Sequence, residues 1–488
     1  MILLIPLLLV AQGIPATNSS RWSLPDVLIE DSLGPYVEFA ADYNYTTGDI
    51  YVACVPDSGI YFHPDSLGIL FFRSTDHGET WDMIGRDVYE AEGWTAKEID
   101  LVATRSDTAY VLFSWYYTDY EYDGLQVGKI YDSGGDWSIE WISPIIDATE
   151  IRSPKLVRDD FADFYLYLSY LDITPDRDSL IILRSTDRGY NWSNLLRASS
   201  VAEWQDQDIA IADSSIYHLS TFQYFENQTL QFSYWKNRGT PTDVINLQQI
   251  NTNEAGQIKY PRLGATTTLP DTGQLVYAFY SQEDSITGNY DLLYLYSEGR
   301  GNTWDSIPDT LANESSSPII CDLRGYQVAP NQWMDIAYCF TSSAPSFENF
   351  WCWASESEPT NWQGTASVGT GSNRSIPEIV YSPGASGAAV VYNDSLGNLW
   401  FDAPWRESGI TEKPNEILPK TKSKIALAGS TIKLGSTGAT VYDVTGREII
   451  KLNNDSWNLK NGNGQKVETG IYFIIDKTGN KLKLSVIK

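Results

Sequence analysis

The 488-residue chain carries 63 Asp and Glu against 34 Lys and Arg, a formal charge of −29 that argues against nucleic acid or anionic membrane surfaces as partners. With three His, four Cys and no Cys-x-x-Cys pair, a Cys/His zinc site has no basis, and neither a metal nor a cofactor is assigned. The surplus carboxylates read as solvated surface, with a bound cation such as calcium as the alternative.

Met1 to Val10 is apolar apart from Pro6 and is followed by small residues around Gly13 and Ala16, too short a run to span a bilayer. Residues 1–16 read as a secretory signal peptide, and no later segment reaches spanning length. The four cysteines suit an exported protein that does not depend on a disulfide framework. Cys54 reads as a buried free thiol, while a bridge among Cys321, Cys339 and Cys352, on three successive expected strands, stays open.

From there the chain reads as all-β. It holds 31 Tyr, 17 Trp and 16 Phe, and short apolar or alternating runs bounded by Gly, Asp, Asn and Pro replace any sustained helical period. A lone strand over Trp22 to Ile29 is followed by seven units. Their inner strands are expected at Tyr36 to Ala41, Ile99 to Thr104, Pro154 to Arg158, Asp208 to Ala212, Pro261 to Ala265, Pro318 to Leu323 and Pro377 to Tyr381. The last unit, ending near Leu399-Trp400-Phe401, lacks an outermost strand that the lone strand can supply, which would close a ring and remove its open edges. Six units remain the alternative if one degenerate unit is an insertion.

Within these units one turn recurs. Arg73-Ser74-Thr75-Asp76-His77-Gly78-Glu79-Thr80-Trp81 returns as Arg184-Ser185-Thr186-Asp187-Arg188-Gly189-Tyr190-Asn191-Trp192, and in decayed form as Tyr296-Ser297-Glu298-Gly299-Arg300-Gly301-Asn302-Thr303-Trp304. Each follows an apolar strand, so the Ser and Asp side chains can bind local amides, Gly closes the turn at positive φ, and the Trp folds back over the hairpin. The copies lie 111 and 112 residues apart, about two propeller blades. Degenerate units, Ile130 to Trp137 and Ser233 to Gly239, sit near the midpoints.

These turns resemble the Asp box, or BNR repeat, of sialidase-like β-propellers. In that family the box lies on the rim, away from the reaction centre, so Ser74, Asp76, Gly78, Trp81, Ser185, Asp187, Gly189, Trp192, Ser297, Gly301 and Trp304 are assigned to architecture. The propeller is expected over residues 17–411, and a Pro- and Lys-rich linker over 412–424.

Beyond it the charge reverses: residues 412–488 hold 13 Lys and Arg against 7 Asp and Glu, while the rest holds 21 against 56. Alternating strands with Thr-Gly and Asn-Gly turns predict a small antiparallel, Ig-like sandwich over 425–488. Val441-Tyr442-Asp443-Val444-Thr445-Gly446-Arg447, Trp457 before a Gly-containing turn, and Thr469-Gly470-Ile471-Tyr472-Phe473 resemble the type A carboxy-terminal sorting domain of the type IX secretion system. That resemblance implies passage through the periplasm, contact with the secretion machinery, removal of the domain at the surface, and release from the cell or attachment to it.

Ligand residues are expected on the face opposite the Asp boxes. Two loops stand out there, with Tyr117, Asp119, Tyr120, Glu121 and Tyr122 in one and Glu283, Asp284 and Tyr290 in the other. Aromatic planes beside carboxylates suit sugar rings. Arg152, Arg262 and Arg374 fall near inner-strand prolines, towards the channel mouth. Sialidases bind a carboxylate with an arginine triad and attack with a Tyr assisted by Glu, which makes Tyr260 the candidate nucleophile. The family's Phe-Arg-Ile-Pro motif is missing from the first unit, however, and structural ion pairs are the competing role for the arginines. With no Gly-x-Ser-x-Gly elbow or phosphate loop, the expected function is binding of extracellular glycan or protein. An exo-acting sialidase-type hydrolase and a structural surface protein are the alternatives.

Overall fold

A computed structural model describes residues 26–403 and 422–487 apart from short interruptions. The signal segment 1–16, most of the linker and Arg374 lie outside the described residues. The chain divides into two compact units, Met1–Glu407 and Ser408–Lys488.

Among the described residues the first unit has no helix, and therefore none able to cross a membrane. It consists of seven four-stranded antiparallel sheets. Their inner strands are Glu38–Tyr43, Trp94–Ala103, Glu150–Arg158, Glu203–Ala212, Ile258–Ala265, Ile320–Val328 and Glu378–Tyr381, which define blades 1 to 7. Each inner strand contacts the next, and the seventh contacts the first, so the blades form a closed seven-bladed β-propeller. The ring is sealed as the sequence suggests: Val27–Glu30 pairs with Leu399–Asp402 and becomes the outermost strand of blade 7. Tyr392 donates from its hydroxyl to Asp26, fastening the same joint.

Second strands are buried over most of their length, and throughout in Ile50–Val55 and Ala388–Asn393, because both faces of a blade pack against neighbours. This is why they read as continuous apolar runs rather than alternating ones. Separate apolar clusters fill the blade interfaces, for example Val52, Phe72, Val390 and Phe401 between blades 1 and 7.

The repeated turns brace these interfaces. The Gly78 amide donates to Ser74 Oγ (2.7 Å), Thr80 N donates to Asp76 Oδ1 (2.8 Å), and Gly78 takes φ +86°. Ser185 and Asp187 repeat the arrangement, with Asn191 in place of Thr80, and Gly301 N donates to Ser297 Oγ (2.9 Å). Each glycine presses on an adjacent blade: Gly78 on Phe401, Gly189 on Ile142 and Gly301 on Phe232. Trp81 and Trp304 pack edge-on against the same two phenylalanines.

All four cysteines are buried free thiols, which settles the open pairing. Register puts Cys339 on the opposite face of its sheet from Cys321 and Cys352. Those two lie on strands separated by a third, about 10 Å apart and too far for a disulfide.

The second unit holds a five-stranded sheet and a two-stranded ladder around Val441, Trp457, Tyr472 and Leu484. Trp457 is fully buried and its indole donates to the Lys460 carbonyl (2.8 Å). The expected all-antiparallel pairing fails at one edge: Lys422–Leu427 runs parallel to Lys481–Ile487, and its first residues fall within the stretch read as linker.

Candidate functional site

An inner strand pairs on one side only, and its other edge points to the propeller axis, where its amides need acceptors. Inter-blade carboxylates supply them. Asp42 accepts from Ala103 N (2.8 Å), Asp100 from Leu156 N (2.8 Å), Asp208 from Leu263 N (2.7 Å) and Asp322 from Ile379 N (2.8 Å). Each bond joins a blade to the next, and Lys155, Arg262 and Arg324 stand among the carboxylates.

At one end of this channel the inner strands lose regular register. Bulges occur between Ala96 and Glu98, Arg152 and Lys155, Trp204 and Asp206, and Lys259 and Arg262, on four successive blades. Ser153 and Tyr260 take positive φ, 47° and 51°. Bulges re-aim side chains, and strain of this kind costs roughly 1–3 kcal/mol per residue and persists only where the surroundings impose it.

These distortions surround a cavity of about 240 Å³. Glu38, Glu98, Asp206 and Glu378 line it with Tyr260, Lys155 and Arg262, while Phe39, Ile99, Pro154 and Ile376 add apolar surface. The Ser153 amide donates to Glu98 Oε1 (3.1 Å) and its hydroxyl donates to Asp206, so blade 3 ties two carboxylates from its neighbours. Arg262 Nη1 lies 4.0 Å from Asp206 Oδ2 and donates to the Pro261 carbonyl (2.8 Å).

Burial, then the charge of Asp206, raises Glu98 to about 7, with Lys155 and the Ser153 amide pulling the other way. Burial raises Glu38, at the open lip, to about 7 against the pull of Lys155. Glu378, 8% exposed, is pushed well above the carboxylate range by burial and then by Asp322. Burial disfavours the Arg262 cation, but Asp206 and Asp208 more than offset it and hold the guanidinium charged. The mouth therefore offers carboxyl groups that exchange protons near neutral pH, beside a patch suited to the C–H face of a small ring.

Of the residues expected from sequence, Tyr260 and Arg262 line this cavity. Arg152 does not: it pairs with Glu150 (2.6 Å), both partly exposed. The arginine triad is thus not assembled among the described residues. Tyr117, Asp119, Tyr120, Glu121 and Tyr122 form the turn joining strands two and three of blade 2, at the end where Trp94 pairs with Tyr117 and where Glu98 sits. Tyr120 is 70% exposed and stacks on Tyr117 at 4.8 Å, and Tyr117 meets Tyr122 edge-on at 5.8 Å. In blade 5, Asp284 accepts from Ile286 N (2.8 Å), and backbone hydrogen bonding lowers its pKa. Tyr290 is buried beneath Lys259 Nζ, 5.4 Å from its ring centre, and serves packing.

Sequence reasoning missed Glu38, Glu98, Lys155, Asp206 and Glu378. A signal for two of them existed: Glu98-Ile99-Asp100 and Asp206-Gln207-Asp208 repeat an acid-x-Asp pattern at the same inner-strand position, 108 residues apart.

No protein-family model matches the chain, and no curated protein matches it. Solved structures align over the propeller. An α-L-arabinanase of Penicillium chrysogenum complexed with arabinobiose is 11% identical, with 78% of this chain and 97% of that one covered and a TM-score of 0.42. An ulvan lyase is 9% identical, with 77% and 95% covered and a TM-score of 0.49. The Trypanosoma rangeli sialidase in complex with the inhibitor DANA is 11% identical, with 65% and 56% covered and a TM-score of 0.40. At these values the functional reading rests on the cavity and not on these likenesses.

Proposed function

We propose that this is an extracellular glycan-binding propeller whose ligand sits in the channel-mouth cavity, with the exposed tyrosines of blade 2 as an outer platform. The observation that carries the reading is the cavity itself: four carboxyls for hydroxyl or amine donors, facing Phe39, Ile99, Pro154 and Ile376. Export rests on the apolar segment 1–16 and on residues 425–488 read as a type A sorting domain of the type IX secretion system, and the Ser-Asp-Gly-Trp turns are read as Asp boxes. Titration of the full secreted chain against a panel of neutral, acidic and amino-bearing oligosaccharides tests the proposal. Binding lost in Asp206→Asn and weakened in Tyr120→Ala supports it, and binding untouched by Asp206→Asn refutes the seat.

A second reading, glycoside hydrolysis, is favoured by one observation: Glu98, raised to about 7, is protonated in about half the molecules at neutral pH and lies within electrostatic reach of Asp206. A group so poised suits general-acid protonation of a leaving oxygen. Release of reducing sugar by the wild type but not by Glu98→Gln would make the protein an enzyme. No release from any member of the panel leaves it a binder.

A further inference from the structure

The mouth cavity holds twice as many carboxyls as cations. Its two cations are already drawn to carboxylates: Arg262 to Asp206 and Asp208, and Lys155 to Asp100, Asp208 and Glu378. Glu378 is more than nine-tenths buried and lines both the mouth and the channel beneath it, yet no hydrogen bond or ion pair reaches its carboxyl among the described residues. A buried carboxyl without a donor is costly, and a ligand that brings donors removes that cost.

Resting on the glycan-seat reading, we infer that the cavity selects a sugar residue carrying a free amino group, whose ammonium sits against Glu378 with Glu98 and Glu38 facing it. On binding, the ammonium displaces protons that these carboxyls keep in the free protein. An ammonium supplies three donors and a positive charge in the space of one small group. A ligand carboxylate, as in a sialic or uronic acid, would meet four carboxyls and two engaged cations. At 240 Å³ the cavity is smaller than the usual seat of a drug-sized ligand and suits one sugar residue, with the rest of an oligosaccharide running out towards the tyrosines. An N-acetyl group would add bulk and remove the charge.

The experiment is calorimetric titration of the full secreted chain at pH 6.5 with three tetramers: β-1,4-linked glucosamine, its N-acetylated form, and oligogalacturonate. The amine tetramer is expected to bind at least tenfold more tightly than the N-acetylated one, and the uronate not at all. Glu378→Gln should cut that preference to below threefold while the thermal unfolding midpoint does not fall. If Glu378→Gln folds poorly, Glu38→Gln at the open lip reads the same loss. Equal binding of amine and N-acetyl tetramers, or preference for the uronate, overturns amine selection and leaves the glycan seat standing. A preference unchanged in both variants assigns the binding to the acidic outer surface and overturns the inference. Failure of every oligosaccharide to bind overturns the seat and the inference together.

Discussion

Glu98 should make the propeller less stable as pH rises, and Glu98→Gln should remove that dependence. In the unfolded chain the group titrates at its ordinary value of 4.5, and in the fold at about 7. Below 4.5 it is protonated in both states. Between 4.5 and 7 the unfolded chain has ionised while the folded one keeps its proton, so stability falls with rising pH and levels off above 7. At 1.36 kcal/mol per pH unit the gap is worth at most about 3 kcal/mol. Partial solvent access and the high effective dielectric near a channel mouth reduce this to about 1–2 kcal/mol. Gln keeps an oxygen for the Ser153 amide and carries no charge. Urea midpoints of both proteins at pH 5, 6, 7 and 8, with constant m-value, give the comparison. The variant should gain about 1–2 kcal/mol on the wild type between pH 5 and 8. Glu38 and Glu378 contribute pH dependence of the same sign, and apart from their coupling to Glu98 it cancels in the difference. Parallel pH profiles for the two proteins would refute the assignment of burial as the main cause.

Three other outcomes follow from the geometry. Gly78→Ala should cost about 3 kcal/mol, since a Cβ there would stand 2.0 Å from the Phe401 ring at φ +86°, whereas Gly134→Ala, at φ +110° with nothing within 4 Å, should cost only about 1 kcal/mol in thermal unfolding. Deleting residues 1–30 should leave Leu399–Asp402 as an open edge and produce oligomers in size-exclusion chromatography with light scattering, and a monodisperse monomer would contradict the closure. Tyr120→Ala should weaken glycan binding about tenfold and leave the unfolding midpoint within 1 °C, because the ring is 70% exposed and packs only at the turn.

The architecture was legible because a propeller repeats itself. Apolar second strands, prolines near inner strands and the 111- and 112-residue spacing of the turns each marked a blade, and the unpaired strand near Ile29 accounted for the seventh. The ligand region was only half legible. Arg262 was found from its place beside an inner-strand proline and Tyr260 through a family resemblance, but Arg152 points to Glu150, and a one-residue bulge separates it from Lys155. Which side chain of an inner strand faces the axis depends on such bulges, and an inserted residue flips every later side chain without leaving a mark in composition. Glu38 and Glu378 carried no sequence signal, since each is an isolated acid in a chain with 63 of them.

The same physics explains why the site lies where it does. A propeller turns the free edges of its inner strands inward, so its axis needs acceptors for amides, and Asp42, Asp100, Asp208 and Asp322 are committed to that work by bonds of 2.7–2.8 Å. At the mouth the strands bulge, the amides move out of phase, and the acids that continue the pattern lose their partners. Glu98 retains the Ser153 amide, Asp206 accepts from the Ser153 hydroxyl and from the adjacent Gln207 amide (2.8 Å) but from no amide of the next blade, and Glu378 has no hydrogen-bond donor among the described residues. Burial raises Asp100 and Asp208 at depth as well as Glu98 and Glu378 at the opening, but at depth two backbone amides pull each carboxyl back, whereas Glu98 has the Ser153 amide and Glu378 has none among the described residues. A ligand that supplies the missing donors would complete at the mouth the pattern of bonds that the backbone completes below.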